Sequence, residues 1–154
     1  MIKILVDADL ILEALMNRNE CVEDVRELLD RVNPSIQIHL TDVGWQKIYA
    51  YASRLRNNKI AEIVVSWLQV KIQICSVDQS ILQQARSSPL KDFESAVELV
   101  CVNYQKLDAI VTHKYEDFAK APNKCWVWSV AELWVRANLE NQLQATISST
   151  QRRK

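Results

Sequence analysis

Acidic residues stand just beyond apolar runs in this chain, and their chemistry sets the first question. Ile2 to Val6 is apolar and is followed at once by Asp7 and Asp9, with Glu13 one turn further on. Leu107 to Val111 is a second compact apolar run ending at Thr112, with Glu116 and Asp117 beyond it. Between them, Asp92 and Glu94 open the segment DFESAVELVCVNYQ. Two buried strands that each end in acids predict one acidic pocket at the carboxyl edge of a parallel sheet, where open α/β sheets bind ligands. Carboxylates gathered there repel one another unless a cation lies among them, and Mg²⁺ or Mn²⁺ suits an all-oxygen donor set. Such an ion lowers the pKa of a bound water and stabilises in-line attack on a phosphodiester. A plainer role competes with that chemistry, because Asp9, Asp78 and Asp92 also stand where a helix N-cap is expected. Asp108 begins its strand and is assigned to the opposite edge of the sheet.

The elements that must carry these acids follow from periodicity. Phe93, Ala96, Val97, Val100, Cys101 and Tyr104 recur at helical spacing, so a helix leads into the second strand. Helices are also predicted over Leu10 to Met16, Glu20 to Val32, from Thr41 or Asp42 through Leu55, Lys59 to Val70 and Ile81 to Arg86. Ser129 is expected to cap a last helix running through Leu133, Trp134, Ala137 and Leu143. Short strands are expected at Ile36 to Leu40, Ile72 to Cys75 and Cys125 to Trp128. Strands alternating with helices predict a three-layer α/β/α sandwich with a mostly parallel central sheet. Residues 1–145 are expected to form one domain and 146–154 a polar, disordered tail.

Composition excludes several classes. The 154 residues carry a formal net charge of +0, so no overall field draws the chain to nucleic acid or to an anionic membrane. No apolar run approaches the length of a membrane span, and MIKILVDADL reads as a first strand and not as a secretory leader, so a cytoplasmic protein is expected. Gly44 is the sole glycine, which excludes a glycine-rich phosphate loop. Cys21, Cys75, Cys101 and Cys125 are scattered and are expected to be small buried hydrophobes. His39 and His113 have no cysteine at zinc-ligand spacing. The tryptophans are assigned to core or subunit interface ahead of base stacking.

In order and spacing, LVDADLILEALMNR, KDFESAVELVCVNYQKLDAIVTHKYEDF and WSVAELW resemble the PIN domain, and most of all the bacterial PIN proteins related to VapC-type toxins. The likeness covers nearly the whole chain. It implies a compact α/β/α sandwich that cuts RNA with Mg²⁺ or Mn²⁺ held by acids. Asp7, Asp92 and Asp117 are the implied catalytic and metal-binding acids, with Asp9 and Glu94 as further ligands. The resemblance also implies RNA as substrate, an antitoxin as protein partner and a homodimer, with Trp45 or Trp67 suited to its face. Three departures stand out. Lys47, or else Gln46, falls where the family has a Glu, Ser95 replaces the second acid of the helix-opening motif, and His113 and Lys114 follow Thr112 where the family favours Arg and then Asp or Asn. A lysine in such a pocket competes with the cation, whereas one turned to solvent does not. Two alternatives therefore stand beside the nuclease: a PIN-like RNA-binding or protein-interaction module without catalysis, and a phosphatase, because VDADL also resembles the DxD of haloacid dehalogenases.

Overall fold

A computed structural model describes residues 1–15, 36–54, 62, 66, 68–121 and 126–152. The helix expected over Glu20 to Val32 lies outside them, as does most of the one expected over Lys59 to Val70. Five strands form a single sheet: β1 (Ile2–Val6), β2 (Ile36–Thr41), β3 (Ile72–Cys75), β4 (Ala109–Val111) and β5 (Trp126–Trp128). Their order is β3-β2-β1-β4-β5, and every pairing is parallel. The carboxyl ends of all five strands therefore share one edge, with β1 at its centre.

Alternation along each strand builds the layers, since successive side chains point to opposite faces. Ile4 and Val6 of β1 and Ala109 and Val111 of β4 face one way, into a core with α1 (Ala8–Leu15) and α2 (Asp42–Ser53). Leu5 and Ile110 face the other way, against α3 (Gln79–Arg86) and α4 (Phe93–Gln105). The last helix, α5 (Val130–Arg152), returns to the first face through Val130, Leu133 and Ala137. The arrangement is the expected α/β/α sandwich.

Several boundaries move. β4 starts at Ala109 and not at Leu107, because α4 ends on Lys106 in a left-handed conformation (φ 55°) and Asp108 is engaged elsewhere. The Asp108 N–H donates to the Lys3 carbonyl at 2.7 Å, and its side chain accepts from the Lys3 N–H at 2.7 Å. That places Asp108 at the amino edge, as expected. The Ser129 hydroxyl accepts from the Glu132 N–H at 3.0 Å at the start of α5. The helix then continues to Arg152, through most of the segment assigned above to a tail. No proline or glycine interrupts residues 130–152, so nothing in the backbone stops the helix once it is nucleated.

Cys75 and Cys101 are buried free thiols, as expected, and burial pushes them up to about 11 and about 12; Cys21 and Cys125 lie outside the described residues. Trp128 is buried, and Trp45 and Trp134 pack against the same core. Trp45 is thus partly buried against the core, and Trp67 lies outside the described residues. Among the described tryptophans Trp126 is the outward one, 59% exposed, with the Arg136 guanidinium 5.7 Å from its ring centre.

Candidate functional site

At the centre of the carboxyl edge, β1 delivers Asp7. Its N–H still pairs with the Val111 carbonyl at 3.0 Å, so the sheet holds this residue although the strand has ended. The side chain is only 3% exposed, and a buried carboxylate must find donors. One oxygen accepts from the Asp9 N–H at 3.0 Å, and the other accepts from the Thr112 hydroxyl at 2.9 Å. The first of these bonds caps α1, so Asp7 makes the cap expected of Asp9, and Asp9 becomes an acid of the first turn.

Asp9, Asp7 and Glu94 come together. One oxygen or another of each lies within 4.8 Å of the others, a triangle of hard donors of the size a small divalent ion takes. Two ammonium groups already occupy this space. Lys47 lies 2.6 Å from Asp9 Oδ1 and 3.1 Å from Glu94 Oε2, and Lys114 pairs with Asp9 Oδ2. Both lysines therefore turn into the pocket.

Each is placed by a specific contact of its own element. Lys47 projects from α2 one turn after Gly44. A Cβ there would meet the Ala8 Cβ at 3.0 Å and the Thr41 hydroxyl at 3.1 Å, so the absent side chain lets α2 lie against the start of α1. Lys114 is aimed by Thr112, whose hydroxyl oxygen accepts from the Lys114 N–H at 3.0 Å while donating to Asp7.

Protonation follows from these contacts. Burial pushes the Asp9 carboxyl up, but Lys114 and Lys47 more than offset it and hold the group below its ordinary value. Burial pulls Lys47 and Lys114 down, and the facing carboxylates outweigh it, so both are raised and stay charged. Asp92 is lowered, chiefly by the Ser95 hydroxyl, which donates to it at 2.6 Å. The Ser95 N–H donates to the same oxygen at 3.0 Å, making Asp92 the N-cap of α4.

One acid escaped the sequence reading. Glu98 lies a turn beyond Glu94 and Ser95, is 3% exposed, and has a carboxyl oxygen with no hydrogen-bond partner. Burial first, then the negative charges of Asp7 and Glu94, raise its pKa well above the ordinary value. The only available signal was the i, i+4 spacing from Glu94, which puts both on one helix face.

Asp117 sits elsewhere. It lies in the 3₁₀ turn Tyr115–Phe118 and lines a depression of about 180 Å³ with Lys91, Asp92, Glu116 and Lys120. His113 Nε2 lies 3.6 Å from Glu13 Oε2, a contact at the surface.

Comparison with known proteins bears on this geometry. The family model described as the PIN domain matches residues 3–116. Among solved structures, the chain is similar to a toxin–antitoxin complex from Klebsiella pneumoniae, at 17% identity over 82% of this chain and 96% of that one, with TM-score 0.57. It is also similar to VapBC-1 from nontypeable Haemophilus influenzae, at 11% identity over 85% and 99%, with TM-score 0.61. FitAcB from Neisseria gonorrhoeae matches at 18% identity over 82% and 97%, with TM-score 0.58. No curated protein matches by sequence.

Proposed function

Since this chain belongs to the PIN domain family, we propose that it is a toxin-like ribonuclease, cutting RNA phosphodiesters with Mg²⁺ or Mn²⁺ held by Asp7, Asp9 and Glu94. The observation that carries the reading is that triangle of carboxylate oxygens at the sheet edge. The donor set is all oxygen, as a hard cation requires. When bound, the ion would supply an activated water and charge stabilisation at the attacked phosphate.

The chain's own residues do the rest. Thr112 fixes the Asp7 carboxylate, and Asp92 caps α4 and so orients Glu94 and Ser95. Asp92 and Asp117 line the adjoining depression, where Lys91 and Lys120 offer positive charge to a phosphate backbone. We assign Asp117 to that RNA-facing side. The similar solved structure described as a toxin–antitoxin complex supports an antitoxin-type protein partner, and we extend the reading to a homodimer acting in the cytoplasm. No helix among the described residues is long and apolar enough to cross a membrane. Family membership also removes the ground for the dehalogenase-like reading.

A second reading has an observation behind it. Lys47 and Lys114 sit on Asp9, which favours a PIN fold that binds RNA or protein without hydrolysis. Calorimetric titration with Mn²⁺ of the wild type and Asp7→Asn, followed by RNA cleavage assays, separates the two. The nuclease reading expects binding that is lost in the variant and cleavage that needs the metal. Failure of the wild type to bind Mn²⁺ at millimolar concentration would overturn it.

A further inference from the structure

Every oxygen of the carboxylate triangle already has a partner within the chain. Asp7 Oδ1 accepts from the Asp9 N–H, and Oδ2 accepts from the Thr112 hydroxyl. Asp9 Oδ1 is taken by Lys47, and Oδ2 by Lys114. Both oxygens of Glu94 lie on Lys47, at 3.3 and 3.1 Å. The two ammonium groups together carry the charge of one divalent ion, and they lie where that ion would sit.

We infer that Lys47 and Lys114 are a built-in counter-ion which closes this pocket, so that a divalent cation enters only by displacing them. This rests on the cation-site reading above and adds what governs the site. An ion added beside both ammonium groups would meet two like charges and no unpartnered oxygen of the triangle. Displacement is open to the lysines, because their side chains remain 40% and 37% exposed, and each can swing its charge into water without unpacking the core. Anchorage also differs from that of a chance surface pair. The lysines come from two separate elements, one seated by Gly44 against α1 and the other by the Thr112 hydroxyl.

The test is Mn²⁺ calorimetry and metal-free thermal unfolding on the full chain, comparing wild type with Lys47→Gln, Lys114→Gln and the double variant. The lock predicts Mn²⁺ affinity about tenfold or more tighter in the double variant, with the single variants between. It also predicts a metal-free melting temperature below wild type that Mn²⁺ restores. Affinity equal to or weaker than wild type in the double variant overturns the lock alone. If neither protein binds Mn²⁺ at millimolar concentration, the cation site and the lock fall together. If the double variant binds tightly yet RNA stays intact with both proteins at saturating Mn²⁺, the lock stands and the nuclease reading falls.

Discussion

Two acidic pairs occupy comparable places along the chain, each beyond a buried strand of the same sheet. Asp7 and Asp9 leave β1 directly, and Asp7 is still held by the sheet through its bond to Val111. Glu116 and Asp117 lie further along, in a 3₁₀ turn, with Glu116 exposed. Register explains the contrast. Val6 pairs with Val111, so the residue opposite Asp7 is Thr112. In place of a second carboxylate the sheet edge thus sets a hydroxyl against the first, and that hydroxyl donates to it. The sheet thus fixes the first member of one pair, while the other pair lies in a turn beyond its strand.

The sharpest way to break this comparison is at that contact. Thr112→Val keeps shape and burial but removes the donor to Asp7 and the acceptor for the Lys114 N–H. A hydrogen bond to a buried charged group contributes about 1.5–3 kcal/mol, so the variant should lose roughly 2 kcal/mol. Thermal unfolding should show a drop of about 4–8 °C. A drop under about 1 °C would mean that Asp7 is not held by β4 and that the two pairs differ less than their geometry implies.

Glu98 measures how negative the surroundings of the first pair are. Its pKa is raised in the folded protein, so between the unfolded and folded values the native state binds the extra proton. Stability from this group is therefore present at low pH and lost as pH rises through that window. Glu98→Gln should stabilise the protein at pH 7, and the gain should shrink as pH falls toward the ordinary carboxylate range. Urea unfolding at several pH values reads this directly. A variant less stable than wild type at neutral pH would show that the charged form has a partner.

Asp9 is the next smaller case. Burial works against its charge, yet the two lysines hold its pKa below the ordinary value. Its contribution is then present at neutral pH and disappears as pH falls below the unfolded carboxylate range. Because the pocket is partly open, solvent screening cuts the worth of these pairs, and Asp9→Asn should cost about 1 kcal/mol or less at pH 7. Comparing urea midpoints at neutral and acid pH tests this, since wild type and variant should converge as pH falls through the lowered pKa of Asp9. Curves that stay parallel would mean the pairs add no net stability.

Much of this is legible in the sequence. β1 and β4 announce themselves as apolar runs, and Asp7 follows its strand so directly that only the sheet edge can receive it. What stayed hidden depends on contacts remote in sequence. Glu98 stands among apolar neighbours of α4 and carries no local mark, because burial of one helix face is decided by β1 and β4 behind it. The direction of Lys47 depends on Gly44 meeting Ala8, and that of Lys114 on Thr112. No local pattern encodes either. The end of α5 was missed for a different reason. Apolar periodicity fades after the core contacts end, but helix-permissive residues keep the backbone going.

The second pair supplies the smallest effect and the cleanest test of the comparison. Glu116 and Asp117 line the depression beside Asp92, and neither belongs to the carboxylate triangle at β1. Exposed and half-exposed positions away from buried networks change stability by about 0.5 kcal/mol or less. Glu116→Gln and Asp117→Asn should therefore melt with the wild type and, if the wild type binds Mn²⁺, bind it with affinity changed by less than about twofold. Asp7→Asn run alongside should lose that binding. Should Asp117→Asn lose Mn²⁺ as Asp7→Asn does, the turn must close onto the sheet edge when metal arrives. The two pairs would then form one site, and the distinction drawn from register would hold for the metal-free fold alone.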